Sequence, residues 1–181
     1  ESVGPTVGAE LIRAAVLAVS LALAAILIYI WFRFEWQFGV GAVIALSHDV
    51  ISTIGLFALT QLEFNLATVA AILTIAGYSI NDTVVIYDRV REELRRYKKL
   101  AMPDLFNLAL NRTLSRTFLT SVTTLIALLA LTIFGGAIIR DFALAMIWGV
   151  LIGTYSSIFI AVPALMLLKL SRESFSAQSE Q

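Results

Sequence analysis

The sequence predicts an all-α integral membrane protein, a bundle of five transmembrane helices, and two observations carry that prediction. Of its 181 residues, 59% are hydrophobic and 14% charged, where a soluble domain carries about a quarter charged residues. The apolar residues also fall in five long runs: Leu11 to Phe32, Phe38 to Leu59, Leu66 to Tyr87, Phe118 to Ala137 and Phe142 to Leu168. Crossing a bilayer core of about 30 Å takes roughly 20 such residues. The net charge is zero, and no basic domain argues for nucleic acid as a partner. Cysteine is absent, which excludes disulfides and thiolate metal sites. The chain opens with Glu1 on a short polar lead, "ESVGPTVGAE". That start, without a signal peptide, is expected of a piece of a longer chain.

The first span is alanine-rich, with Arg13 near its outer end, where the side chain can snorkel to the headgroups. "FRFEWQF" is expected to be a tight inner turn with aromatics at belt depth. The second span holds "LSHDVIST", so His48 and Asp49 fall near its middle, and "TQLEFN" makes a short outer turn. The third span runs on into "DRVREELRRYKKL", expected to continue as a helix beyond the membrane, with Glu92 and Arg96 spaced to pair. Pro103 should break that extension and, with Asp104, suits the first turn of the helix that follows. "PDLFNLALNRTLSRT" is then expected to be a short helix lying at the inner surface, because Leu105, Leu108, Ala109 and Arg112 recur at helical spacing. The fourth span follows from Phe118 and closes at the glycine-containing turn "FGGAIIRD". The fifth carries Gly149 and Gly153, a GxxxG pair that lets helices approach closely, and Pro163, which would kink it.

Basic residues set orientation. With the N-terminus outside, eleven of the thirteen lysines and arginines fall on the inner side, Arg13 and Arg140 being the exceptions. The C-terminus is therefore expected in the cytoplasm.

The stretch "GYSINDTVVIYDRVREE" places Asn81 and Asp82 inside the third span. A carboxylate at the bilayer centre costs at least ~2.5–3.5 kcal/mol. Thr74, Tyr78 and Asp82 recur at i, i+4 and i+8, so one face of that helix is polar. On the fourth span Arg116, Thr120 and Thr124 form a second polar stripe, flanked by Thr113, Thr117 and Thr123. The two spans are antiparallel, which puts Asp82 and Arg116 in comparable inner layers, where they could meet. Such a pair either staples two helices or belongs to a proton path. Desolvation makes buried pairs weak sources of stability, and intramembrane acids mark ion paths. His48 and Asp49 are neighbours about 100° apart on a helix and are expected to diverge. With one histidine in the chain, no metal site, cofactor or enzymatic activity is expected. Asp49 is expected to line, or hydrogen-bond within, the same polar interior as Asp82.

The motifs "VGPTVG", "HDVISTIG", "GYSINDTVVIYDRVREE", "NRTLSRTFLTSVTT" and "GTYSSIFIAVPAL" run from Val3 to about Leu168. Together they strongly resemble the SecD/SecF family of protein-export membrane subunits, a branch of the RND superfamily. The resemblance implies an RND-type six-helix membrane domain with a large periplasmic domain after its first helix. Residues 1–10 would end that periplasmic domain, 11–170 would form the helix bundle with a cytoplasmic loop at 88–117, and 171–181 would be a cytoplasmic tail. It implies residence in the bacterial inner membrane among its lipids. It further implies an auxiliary role in which, with SecD, the proton motive force assists export of a translocating preprotein beside the SecYEG channel. The family's essential acid falls on Asp82 and its arginine partner on Arg116. Asn81, Asp49 and Thr120 are expected to complete the proton pathway, and Gly149 and Gly153 to pack helices. A rival on the same helices is a proton-coupled RND exporter of small molecules or lipids; a second is a scaffold in which Asp82 serves assembly alone.

Overall fold

A computed structural model of the protein describes residues 5–61, 65–168 and 170. Five of its helices are long and apolar enough to cross a membrane. Helix α1 (Pro5–Arg33) turns through Phe34 and Glu35 into α2 (Trp36–Thr60). Helix α3 (Leu66–Arg96) starts at a reciprocal cap: Thr68 N donates to Asn65 Oδ1 at 3.1 Å, and Asn65 N donates to Thr68 Oγ1 at 3.2 Å. Two N–H groups at the helix start are thereby satisfied. Helix α4 (Met102–Phe134) leads through Gly135 into α5 (Gly136–Ser156), with Gly136 at φ +73°, a conformation open to glycine. The outer turn around Glu63 and the tail 171–181 lie outside the described residues.

Helix α3 packs against all four other spans and forms the axis of the bundle. Helix α1 is its outermost member: of its described side chains only Ala15 and Ile30 are buried. Outward apolar side chains such as Ile51, Phe118, Ile126 and Phe159 are exposed, as suits a bundle whose surroundings are lipid rather than water.

Two expectations are corrected. The segment 102–117 is no separate helix on the membrane surface; it is the first half of α4, continuous to Phe134. Pro103 sits in the first turn of that helix, where a missing N–H costs nothing, so it starts α4 without interrupting it. At 33 residues and about 1.5 Å per residue, α4 outruns the bilayer core. Its extra turns bury Leu105, Phe106 and Ala109 against Tyr87, Val90 and Leu94 of α3. Second, Glu92 pairs with Arg89 one turn before it, not with Arg96, whose guanidinium sits 5.5 Å over the Tyr97 ring. Pro163 stands beside a second irregularity in the last helix. A π-helical turn, Ser157–Ala161, precedes it and leads into α6 (Val162–Leu167). Such a wide turn absorbs the irregularity that a proline brings to the ladder. Helix α3 grips both ends of the turn: Thr83 Oγ1 lies 2.9 Å from Ser157 Oγ, and the Tyr87 hydroxyl donates to the Ala161 carbonyl at 3.0 Å. Gly41 on α2 leaves the room for that hydroxyl, since a Cβ there would come within 2.5 Å of it.

Candidate functional site

The polar interior is built on the close approach of α5 to α3. A Cβ on Gly149 would collide with the Ile75 side chain, and one on Gly153 would stand 3.1 Å from Ser79 Cβ. Two glycines one turn apart thus seat α5 on two α3 residues one turn apart. Ser156, three residues beyond Gly153, is carried on the same face into the interior.

There it meets Asp49 of α2. Asp49 is fully buried and accepts at both oxygens: Ser79 Oγ donates to Oδ2 at 2.5 Å, Ser156 Oγ donates to Oδ2 at 2.7 Å, and His48 Nδ1 lies 3.0 Å from Oδ1. One carboxylate ties three helices together. The expected divergence of His48 from Asp49 is therefore corrected. The 100° between neighbours describes Cβ directions, and a two-bond carboxylate arm bends back far enough to reach an imidazole. The His48 side chain remains 38% exposed, so it connects the buried acid to the bundle surface. Thr53 bonds the Asp49 carbonyl at 2.8 Å, and Ser52 accepts from Trp148 Nε1 at 3.2 Å.

Asp82 lies on α3 one turn inward from Ser79. It is 5% exposed, and its Oδ2 has no hydrogen-bond partner. A buried oxygen of this kind costs about 1–3 kcal/mol, more when charged, so its retention asks for a use. Across from it, α4 buries Thr113, Thr117 and Ser121, and Thr117 Oγ1 is likewise without a partner. Tyr78 donates to Thr124 at 3.5 Å and sets the antiparallel register. Four residues along each helix, that register brings Asp82 to the level of Thr120, with Arg116 about 6 Å further inward. Asp82 and Arg116 are not in contact, for no oxygen of one lies within 4.0 Å of a nitrogen of the other, and Arg116 is exposed. Thr120 is exposed too and returns its hydroxyl to the carbonyls of Arg116 and Thr117 at 3.1 and 3.0 Å. Asn81 turns away from Asp82, into a groove facing α1. Among the described residues no group of three or more His, Cys, Asp or Glu side chains could hold a metal ion.

The structure thus joins Asp49 to the α3 interior, leaves Asp82 alone beside it, and sets Asn81, Arg116 and Thr120 around the rim. Ser79, Ser156, Ser157 and Thr83 belong to the same interior and were not singled out from the sequence, whereas Thr117 was read as flanking the polar stripe of the fourth span. The one signal that pointed to them was the placing of Ser79 a turn before Asp82 in "GYSIND" and of two serines in "GTYSSIF".

Comparison with known proteins identifies the family. The family model Protein export membrane protein SecD/SecF, C-terminal, matches residues 1–171. Protein translocase subunit SecF of Cereibacter sphaeroides is 58% identical over 172 residues, 95% of this chain and 53% of that protein. The SecF of Rickettsia bellii is 57% identical over 165 residues, 91% of this chain and 54% of that protein. The chain spans about half the length of these curated relatives. Among solved structures, SecDF from Thermus thermophilus, a translocon-associated membrane protein, superposes with a TM-score of 0.87 at 48% identity, over 92% of this chain and 23% of that one. SecDF in a super-membrane-facing form gives 0.83 at 44% identity, over 98% and 24%.

Proposed function

The chain belongs to the SecD/SecF family of protein export membrane proteins, and from that premise we propose that it is the proton-handling membrane part of a Sec translocase auxiliary subunit. With SecD it assists the export of preproteins through SecYEG, drawing on the proton motive force across the bacterial inner membrane. The N-terminus of the chain faces the periplasm and its C-terminus the cytoplasm, so residues 1–10 end a periplasmic region and 171–181 form a cytoplasmic tail. The 88–117 connection is the inner, helical clasp of α3 and α4.

The observation that carries this proposal is the orphaned, buried oxygen of Asp82 beside an unpaired Arg116 on the next helix. A staple would have its two ends joined. A carboxylate that is neutral in one state and drawn to a guanidinium in another gives the bundle two arrangements. One elementary charge crossing 100 mV supplies about 2.3 kcal/mol, which suffices to bias states that differ by a few kcal/mol. Ser79 and Thr83 flank Asp82 on α3 and hold α2 and the π turn of the last helix. A shift of α3 at Asp82 would therefore be passed to both.

The test is Asp82→Asn in the full complex, assayed in inverted inner-membrane vesicles. The variant is expected to insert and to assemble with SecD while losing the gradient-dependent part of export. Export at the normal rate under an intact proton gradient would overturn the proton-carrier role.

A further inference from the structure

At the inner end of the bundle a cleft of about 450 Å³ opens between α1, α3 and α4. Four arginines line it, Arg33, Arg89, Arg112 and Arg116, against two carboxylates, Asp88 and Glu92. Buried Glu93 beneath them is flanked by Arg112 and Arg89. Counting it as well, the arginines exceed the carboxylates by one, and Arg116, proposed above as the partner of Asp82, is the arginine of the four without an ion pair. The Arg33–Asp88 contact, at 3.5 Å with both side chains more than half exposed, contributes little and is free to exchange.

The cleft continues into a second groove of about 450 Å³ that runs towards the bilayer middle between α1 and α3. Tyr29 and Val84 belong to both spaces. The groove is lined by Ala25, Ile26, Gly77 and Ile80, with Asn81 its polar member. Gly77 keeps it wide, since a Cβ there would meet nothing within 4 Å. A basic pocket at the inner boundary of a membrane domain suits an anionic headgroup. A narrow apolar groove rising from it suits an acyl chain.

We infer that this cleft and groove form a binding site for one anionic phospholipid, its phosphodiester among Arg33, Arg89 and Arg112 and one acyl chain between α1 and α3. The phosphodiester would take the place of Asp88 against Arg33, whose contact is exposed and weak, with the Arg89 and Arg112 guanidinium groups beside it. The lipid would fill the space that leaves α1 the least buried of the five spans, and so fix α1 to α3 beside Asp82.

The experiment uses the full-length protein with its partner subunit, purified in detergent and examined by native mass spectrometry with added lipid. Phosphatidylglycerol is the probe, with phosphatidylcholine of the same chains and the chain-free headgroup glycerophosphoglycerol as comparisons. One phosphatidylglycerol is expected to be retained about fivefold more tightly than phosphatidylcholine, the worth of one well-placed arginine near a headgroup. Arg33→Gln should abolish that preference. Gly77→Leu, which puts a side chain into the open space beside Gly77, should weaken retention of both lipids severalfold, and glycerophosphoglycerol should fail to displace the bound lipid. Equal retention of the two lipids, retention unchanged in both variants, displacement by the headgroup compound alone, or no specific lipid adduct at all would each overturn the site. No gradient or translocating substrate enters this measurement, so its outcome is separate from that of the proton-carrier test.

Discussion

Gly153 and Ser79 lie so close that a Cβ on the glycine would stand 3.1 Å from that of the serine. This contact lets Ser79 and Ser156 converge on a single oxygen of Asp49. Gly153→Val should therefore push α5 off α3 and lower stability by about 1–3 kcal/mol, the usual cost of overpacking. Gly55→Val, on α2 where a Cβ would meet nothing within 4 Å, is the control and should cost nothing measurable. Melting temperatures of the two variants in one detergent decide it; equal temperatures would dissolve the proposed seat.

The Asp49 junction makes a prediction that depends on orientation of an amide. In Asp49→Asn the carbonyl oxygen can still accept from Ser79 and Ser156 while the amide donates to His48 Nδ1. That variant should melt near the parent. Asp49→Leu removes the acceptor and strands two serine hydroxyls in a dry interior, a cost of about 1–3 kcal/mol for each group left unsatisfied. Ser156 has a fallback in the Gly153 carbonyl at 3.2 Å, so the loss should sit at the lower end. A leucine variant as stable as the asparagine variant would show that the carboxylate does not hold the three helices.

A third prediction concerns the clasp beyond the membrane. Phe106 is 2% exposed between α4 and α3, and Phe106→Ala should cost about 3–5 kcal/mol. Cleavage by trypsin at Lys98 or Lys99 should rise in parallel, because the two helices part there. If instead this segment lay flat on the lipid surface, Phe106 would face acyl chains, and neither melting nor cleavage would respond.

That clasp also marks where the sequence stopped being legible. The five spans could be read because a bilayer demands long apolar runs, and the GxxxG pair because close approach demands small residues. The segment after Pro103 misled because a short surface helix and the first turns of a long helix look alike in text, and a proline opens either one. What separates them is the burial of Leu105, Phe106 and Ala109 against α3, a tertiary contact. The serines around Asp49 were illegible for a related reason. A serine in a membrane helix can satisfy itself on its own backbone, and only the packing of three helices shows which ones reach across. Asp82 stood out from the start because a lone acid among apolar residues has no local partner to explain it.

Orientation can be read directly, since the chain has no cysteine of its own. A single cysteine placed at exposed Ile139 should react with an impermeant thiol reagent added from outside. One at exposed Lys98 should react only after the membrane is opened. The reverse pattern would contradict the charge bias and move Asp82 to the outer half of the bilayer.

The central claim is that Asp82 works as a proton carrier against Arg116 and not as half of a staple. Arg116→Met leaves the acid buried without its counter-charge, and Asp82→Asn leaves the arginine without an acid. Both should assemble with normal melting temperature and lack gradient-dependent export. The decisive measurement is that export, made on the double variant Asp82→Asn with Arg116→Met beside both single variants. A proton carrier predicts that the double variant is as inactive as either single one, because no titrating group remains in the pair. Recovery of export in the double variant, together with a melting temperature restored from a loss in Arg116→Met, would contradict the carrier and leave a staple.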